Sequence, residues 1–310
     1  MRTLLDVVKE IDNISFPYHN SADHDQYVDE LWRFYLPEDP RPYGYIPKFV
    51  VEAMPWSADF HIDDKSVPKK VQLLTNSPAD ANKAIAHLLQ TAREKRLFKC
   101  LEGWRNEEYR ILGAKSVIKI ERAGAGLLGI TTTGVHMTVY TRSSTREILL
   151  WAPKRSMTTK NNPGKLDTSV AGGVPAGVKP FECLVKEAAE EASLPQELTT
   201  ASAKSVGCVM EFNVKDGGNG LLEPSLKYVY DMEVDDVELR PGDSEVEEFC
   251  LMTPSEVKKN ILEGNYKPMC VMVLVDFFVR HGILTIENEE DYAELVARTH
   301  RNLPFPTSSK

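Results

Sequence analysis

Cysteine is scarce in this chain, with five among 310 residues: Cys100, Cys183, Cys208, Cys250 and Cys270. They are odd in number and scattered singly, and no CxxC or Cys/His spacing joins them. This excludes a disulfide scaffold and a thiolate zinc site, and it fits reduced core thiols in a reducing compartment. A basic stripe is missing as well. Acids outnumber bases 46 to 37, giving a formal charge of −9, which argues against a nucleic-acid partner. Long apolar runs are absent: the longest, residues 269–279, is broken by Asp276 and falls short of the ~20 residues that span a bilayer. The opening MRTLLDVVKEIDNISF is amphipathic and too polar for a signal-peptide core. No GxSxG motif and no internal repeat occur, so a serine hydrolase and a solenoid are both unsupported. The expectation is a cytoplasmic protein with neither a membrane nor a nucleic acid as partner.

What the sequence does contain is ordinary for a globular protein, with 42% hydrophobic and 27% charged residues, in a length that suits two domains. The first 116 residues read as a small α+β unit. Helices are expected over residues 1–20, 25–35 and 77–97, and strands over 71–75 and 104–111. The 77–97 helix is the clearest: Ser77 caps it, Pro78 suits its first turn, and Ile85, Leu88, Leu89 and Ala92 form an apolar stripe. From residue 117 the texture turns to β. Strands are expected at 117–124, 134–141, 146–155, 204–214, 226–234 and 245–252, with helices at 180–192, 254–264, 268–281 and 291–301. Strands, one loop and helix, strands again and then helices describe an α/β sandwich on a mixed sheet over residues 117–285, followed by a terminal helix and tail over 286–310.

The chemistry concentrates in residues 171–194, AGGVPAGVKPFECLVKEAAEEASL. At roughly 100° per residue, Phe181, Leu184, Val185, Ala188 and Ala192 gather on one side of the helix and Glu187, Glu190 and Glu191 on another. Adjacent like charges destabilise a helix by about 0.2–0.5 kcal/mol per pair. These three also lie toward the helix C-terminus, where the macrodipole disfavours anions. A solvated acidic face is one account of them. A hard divalent cation is the other, because Mg²⁺ prefers carboxylate oxygens, and an acidic protein handling an anionic substrate needs cations. Gly172, Gly173 and Gly177 allow a tight loop whose backbone can approach a phosphate or present a carbonyl to a metal.

The string GGVPAGVKPFECLVKEAAEEASL resembles the Nudix box, G-x5-E-x7-R-E-U-x-E-E-x-G-U with U a bulky aliphatic. Gly172, Glu187, Glu190, Glu191 and Leu194 fall on motif positions. Val178 replaces the first glutamate, Lys186 the arginine, Ala188 the first aliphatic and Ser193 the glycine. The resemblance extends to LEGWRNEEYRI, IERAGAGLLGI, GVHMTVYT, PGDSEVEEFCLM and RHGILTIENEEDYAELVARTHRNLPFP, and so covers nearly the whole chain. It is closest to Nudix proteins with an extra N-terminal domain, related to thiamine-diphosphate Nudix hydrolases and to Nudix domains fused to thiamine pyrophosphokinase. It implies a Nudix α/β/α sandwich preceded by an accessory domain, and a diphosphatase using Mg²⁺ or Mn²⁺ held by Glu187, Glu190 and Glu191. Val178 then means one auxiliary ligand fewer. The implied substrate is thiamine diphosphate or its oxidised and damaged analogues, such as oxothiamine and oxythiamine diphosphate, cleaved to the monophosphate and phosphate. Oxidised dNTPs such as 8-oxo-dGTP are the alternative substrates, and a non-catalytic metabolite-binding protein is the alternative of another class. A homodimer is left open.

Other residues follow from the same implied chemistry. Glu187, Glu191 and Glu245 are the catalytic candidates, with Glu187 and Glu245 unranked as base. Glu245 lies with Glu247 and Glu248 on a charged strand after a PGD turn, which reads equally well as a protected sheet edge. Arg155 and Lys160 precede the box and are candidates to meet a diphosphate. Gly172 and Gly173 are expected at the substrate through their backbone. Trp104, near Tyr109 and Arg105, is a candidate to stack on an aromatic ring. His136, mid-strand, is expected to be a core or lining histidine, and Cys183 has no basic partner in sequence.

Overall fold

The protein is described here from a computed structural model covering residues 2–14, 29–214, 220–235 and 237–310. Helix α1 (Leu4–Ile11) starts at Thr3, whose hydroxyl and the Asp6 carboxylate cap each other's backbone N–H groups. Strands β1 (Trp32–Tyr35) and β2 (Pro42–Ile46), helix α2 (Lys48–Ala53), strands β3 (Phe60–Asp63) and β4 (Lys70–Leu73) and helix α3 (Pro78–Glu94) follow. They form a four-stranded sheet of order β2-β1-β4-β3, in which β1 and β4 are parallel. Strands β5 (Glu108–Arg110) and β6 (Lys119–Glu121) pair separately, and residues 122–127 make a 3-10 turn. The expected strand over 117–124 is thus confined to three residues, and that over 104–111 to another three.

The short helix expected over residues 25–35 is corrected in its second half. Residues 25–28, like residues 15–20 of the first expected helix, lie outside the described residues; residues 29–30 are helical as expected, and residues 32–35 are strand. Trp32 and Phe34 are buried while Arg33 and Tyr35 are less so, a period of two, and both edges of β1 are occupied by β2 and β4. Pairing on both sides overrides the helical reading of WRFY.

The second sheet contains β7 (Thr132–Arg142), β8 (Ile148–Arg155), β9 (Val170–Gly173), β10 (Lys204–Val214), β11 (Leu222–Glu233) and β12 (Val246–Met252). The helices around it are α4 (Pro180–Ala192), α5 (Gln196–Ser202), α6 (Pro254–Leu262), α7 (Pro268–Arg280) and α8 (Tyr292–Thr299). Its order is β10-β11-β7-β8-β12, with β9 also on β7. The β7–β11 pair is parallel and the rest antiparallel, so the sheet is mixed. β8 and β9 divide one edge of β7: residues 140–142 pair with β8 and residues 134–137 with β9.

Alternation along β7 sorts its side chains between two layers. Val135, Met137 and Val139 pack on Leu184, Ala188 and Ala192 of α4. On the opposite face Tyr140, Leu150 and Val229 pack with Val257 and Ile261 of α6, Phe277 of α7 and Leu295 of α8. Each fully buried side chain of this size contributes about 1.5–3 kcal/mol. Leu4, Leu5 and Val8 of α1 belong to this second cluster, whereas a separate core spans Trp32 to Ile130 and adds Leu221. Within this separate core the chain meets itself backbone to backbone. A Cβ on Gly44 would lie 2.1 Å from the Leu128 carbonyl oxygen, and one on Gly129 (φ +61°) 2.1 Å from that of Tyr45. The tail bridges the two sheets, where Phe305 packs edge-on against Tyr45 of β2 and Phe212 of β10. Among the described residues no helix is long and apolar enough to cross a membrane.

Candidate active site

Helix α4 and strand β9 set the acidic groups. Pro180 occupies the first turn of α4, where its missing N–H costs nothing, and Cys183, Leu184, Ala188 and Ala192 are buried beneath it. The helix ends at Ser193 in the left-handed conformation (φ 53°, ψ 27°), where the box pattern has glycine. The loop before β12 covers this end: Gly242 N–H donates to the Glu191 carbonyl at 3.1 Å, and a Cβ on Gly242 would stand 2.2 Å from the Glu190 carbonyl oxygen.

The three glutamates have different surroundings. Glu191 accepts a hydrogen bond from Ala171 N–H at 2.9 Å, and burial pushes its carboxyl up to about 8. Glu187 lies against Gly172, where a Cβ would be 2.4 Å from its Cγ and 2.8 Å from its Oε1; no other residue type fits there without moving the carboxylate. Burial raises the Glu187 pKa. Lys186 opposes that rise, while the charges of Glu190, Glu107 and Glu245 add to it. Glu190 is exposed and takes the Lys186 ammonium at 2.8 Å. Lys186 therefore holds one carboxylate by a single contact, the role that a guanidinium fork would serve in two.

Among the described residues, the group of metal-capable side chains whose ligand atoms all lie within 4.8 Å of one another is a different one: His136, Asp167 and Cys270, all buried. Asp167 is already satisfied there. It accepts from Lys267 at 2.9 Å, Arg155 at 3.2 Å, Cys270 at 2.6 Å and Thr168 N–H at 2.9 Å. Burial works against its charge most strongly, but Lys267, His136 and the hydrogen bonds from Cys270 and Lys267 together outweigh it and lower the pKa to about 2. His136 bonds Thr168 Oγ1 at 2.7 Å, and burial, with Lys267, takes it down to about 3. The cluster is a neutralised buried network in which lysine holds the place of a cation, and His136 is the lining histidine expected of it.

Arg155 is nearly buried and spans two acids, Asp167 at 3.2 Å and Glu245 at 3.5 Å. Glu245 immediately precedes β12, and its carbonyl accepts from Ser156 N–H at 2.8 Å. Lys160 is exposed on the loop after β8, and Val178 is 38% exposed. Gly173 sits under Tyr109, whose hydroxyl would be 2.4 Å from a Cβ there. Trp104 lines a cavity of about 360 Å³ with Ile85, Glu107, Glu108, Glu121 and the box-loop residues Pro175 and Ala176. The Arg93 guanidinium lies 4.8 Å from its ring centroid. Ala176 N–H donates to the Glu108 carbonyl at 2.7 Å, so β5 is tied directly to the box loop. Burial lifts Cys183 to about 12, which removes it as a nucleophile.

Two charged groups escaped the reading of the sequence. Glu107 and Arg122 pair at 2.9 Å; the charge of Glu107 raises the Glu187 pKa, and that of Glu245 raises the Arg122 pKa. They come from the N-terminal half, and no spacing relates them to the box.

A family model for the NUDIX domain matches residues 132–270, and one for a domain of unknown function, DUF4743, matches residues 20–132. "Nudix hydrolase 20, chloroplastic" of Arabidopsis thaliana is 31% identical over 82% of this chain and 69% of its own length. The chain belongs to the Nudix hydrolase family. "Uncharacterized protein YJR142W" of Saccharomyces cerevisiae is 30% identical over 98% of this chain and 92% of its own length, so the two-part arrangement recurs in a yeast relative. "Nudix hydrolase 24, chloroplastic" of Arabidopsis thaliana is 30% identical over 74% of this chain and 61% of its own. Membership makes the protein a hydrolase of phosphoric anhydrides on small-molecule diphosphates, and family members typically need a divalent metal ion. The mixed sheet between α4 and the α6–α8 layer is the sandwich expected, preceded by the N-terminal domain.

Proposed function

We propose that this Nudix hydrolase cleaves a thiamine-type diphosphate, either thiamine diphosphate or an oxidised analogue, to the monophosphate and phosphate. The observation that carries this reading is the cavity beside the box. Trp104 offers an aromatic surface, and Glu107, Glu108 and Glu121 outnumber Lys119, the one cation of the lining, which pairs with Glu108 at 3.4 Å, a combination suited to a flat cationic ring. The accessory unit, about residues 1–116, supplies Trp104, Glu107 and Glu108, while Glu121, Pro175, Ala176 and the box itself belong to the unit of about residues 117–285, with residues 286–310 as the tail.

The residues present fit a hard divalent cation. Glu187, Glu190 and Glu191 offer only oxygen donors, and the carboxylate of Glu191, half-buried with one N–H partner, gains from a positive charge. Mg²⁺ or Mn²⁺ held there would neutralise the diphosphate and acidify a water. Gly172 and Gly173 leave the β9 backbone open to the phosphates, and Arg155 and Lys160 add positive charge before the box. Glu187 or Glu245 takes the proton of the attacking water as its oxygen bonds phosphorus. The bridging P–O bond breaks, and its electron pair leaves with the departing phosphate group. The five free cysteines support a reducing, cytoplasmic setting.

Phosphate release across thiamine diphosphates, oxidised dNTPs, NADH and ADP-ribose, with Mg²⁺ or Mn²⁺, tests the reading. Preference for the thiamine series, lost in Trp104→Ala, is expected. A preference for 8-oxo-dGTP would replace the substrate, and retained binding with no release from any compound would replace catalysis with binding.

A further inference from the structure

A lysine near the middle of a sheet needs a reason, because burying an unpaired ammonium is costly. Lys227 lies on β11 in register with Gly134 of β7, which in turn pairs with Gly173 of β9. All three face away from α4. Gly134 has no side chain, and Lys227 lies across it: the position a Cβ would take on Gly134 is 3.1 Å from Lys227 Cδ, 3.3 Å from its Nζ and 2.9 Å from the Gly172 carbonyl oxygen. Gly172 touches Glu187 on its other side. The ammonium and the catalytic carboxylate thus flank the same glycine.

Four other cations around the box already have acidic partners, and Lys160 is exposed on its loop. Arg155 holds Asp167 and Glu245, Lys267 holds Asp167, Arg122 holds Glu107 and Lys186 holds Glu190. Among the described residues no hydrogen bond or ion pair within 4.0 Å reaches the Lys227 ammonium, and Glu211 and Glu223 act on it only through their charge. The acid that acts on it most strongly, Glu211, is 7% exposed. One oxygen of Glu211 takes the Ser225 hydroxyl at 3.1 Å, and the other, Oε2, has no partner. Burial lowers the Lys227 pKa, partly offset by Glu211.

We propose that Lys227 contacts substrate, its ammonium taking phosphoryl oxygens of the diphosphate from the sheet side of Gly172, opposite the box glutamates. The proposal rests on the diphosphatase reading and names the residue that completes the phosphate site in a protein of net charge −9. Gly134 is the residue that lets the lysine reach β9.

Lys227→Met keeps the length of the side chain and removes its charge, and replacing a buried charge by an apolar residue of similar size is commonly tolerated by the fold. Against the best hydrolysed diphosphate, KM should rise about tenfold or more with kcat changed by no more than about threefold, as loss of a charged hydrogen bond predicts. Inorganic pyrophosphate binding in EDTA, followed by calorimetry, should weaken by the same factor. Mn²⁺ binding, followed by electron paramagnetic resonance, should match the unsubstituted chain, and Lys227→Arg should recover part of the affinity. Unchanged KM and unchanged pyrophosphate affinity in Lys227→Met would overturn the proposal, as would absence of pyrophosphate binding by the unsubstituted chain. If Lys227→Met does not fold, Gly134→Ala answers instead: the added methyl displaces the lysine chain and should weaken pyrophosphate binding, and undiminished binding would count against the proposal. Should no diphosphate be hydrolysed by the unsubstituted chain, the diphosphatase reading fails, while the pyrophosphate comparison still decides the role of Lys227.

Discussion

Glu191→Gln isolates the conflict between stability and metal binding at the box. In the metal-free protein the Glu191 carboxyl has a pKa of about 8 against an ordinary value of 4.5. The folded state therefore prefers the protonated form. Below about pH 4.5 the group costs nothing, and as pH rises toward 8 the unfolded chain ionises freely while the folded one must ionise a buried group. Stability is lost at up to roughly 1.4 kcal/mol per pH unit across that window. With the residue half-buried and still touching water, a total of about 2–4 kcal/mol near pH 8 is expected. Glutamine keeps an oxygen for the Ala171 N–H and has no charge to bury. Urea unfolding in EDTA at steps between about pH 5 and about pH 8 should show Glu191→Gln gaining on the unsubstituted chain as pH rises. Added Mg²⁺ at about a hundred times its dissociation constant should restore roughly 2.7 kcal/mol to the unsubstituted chain and much less to Glu191→Gln. Activity should fall in the same variant. Identical pH slopes for the two proteins in EDTA would refute the reasoning.

Gly172→Ala places a methyl 2.4 Å from Glu187 Cγ; the carboxylate must swing away, and kcat should fall while the melting temperature moves modestly, as overpacking by about 1–3 kcal/mol predicts. Ser193→Gly relieves a left-handed non-glycine residue (φ 53°) and should stabilise by about 0.5–1 kcal/mol in urea titration, with activity retained. Arg155→Leu leaves the buried Asp167 with Lys267 as its cation partner and frees Glu245; stability should drop by about 1–3 kcal/mol and KM should rise, whereas a purely substrate-facing arginine would leave stability unchanged. Glu190→Gln and Glu191→Gln should lose activity to a similar extent, and full activity in both would remove the box helix from the chemistry.

The sequence determined the local structures because their signals are local. The Ser77 cap, Pro78 and the stripe through Leu88 fix α3; Pro180 and the apolar face through Leu184 and Ala188 fix α4 and turn its acids to one side. The box pattern, read without gaps through the Val178 and Lys186 departures, carried the family. The same locality explains the misreading at residues 32–35, where the alternation of Trp32 and Phe34 becomes decisive only once β2 and β4 flank the strand.

Tertiary structure alone decided how charges are shared around the box. Asp167, Lys267 and Cys270 meet across a hundred residues, Arg155 is committed to two acids, and Glu107 and Arg122 arrive from the N-terminal half. Helix α1 packs on the Nudix layer, far from its sequence neighbours. Lys227 looks in sequence like any lysine on a strand; only the register with β7 sets its side chain over Gly134, whose other neighbour is the Gly172 carbonyl. Periodicity and capping act over a few residues and survive in a linear string. Charge pairing acts through space, so it depends on which strands become neighbours.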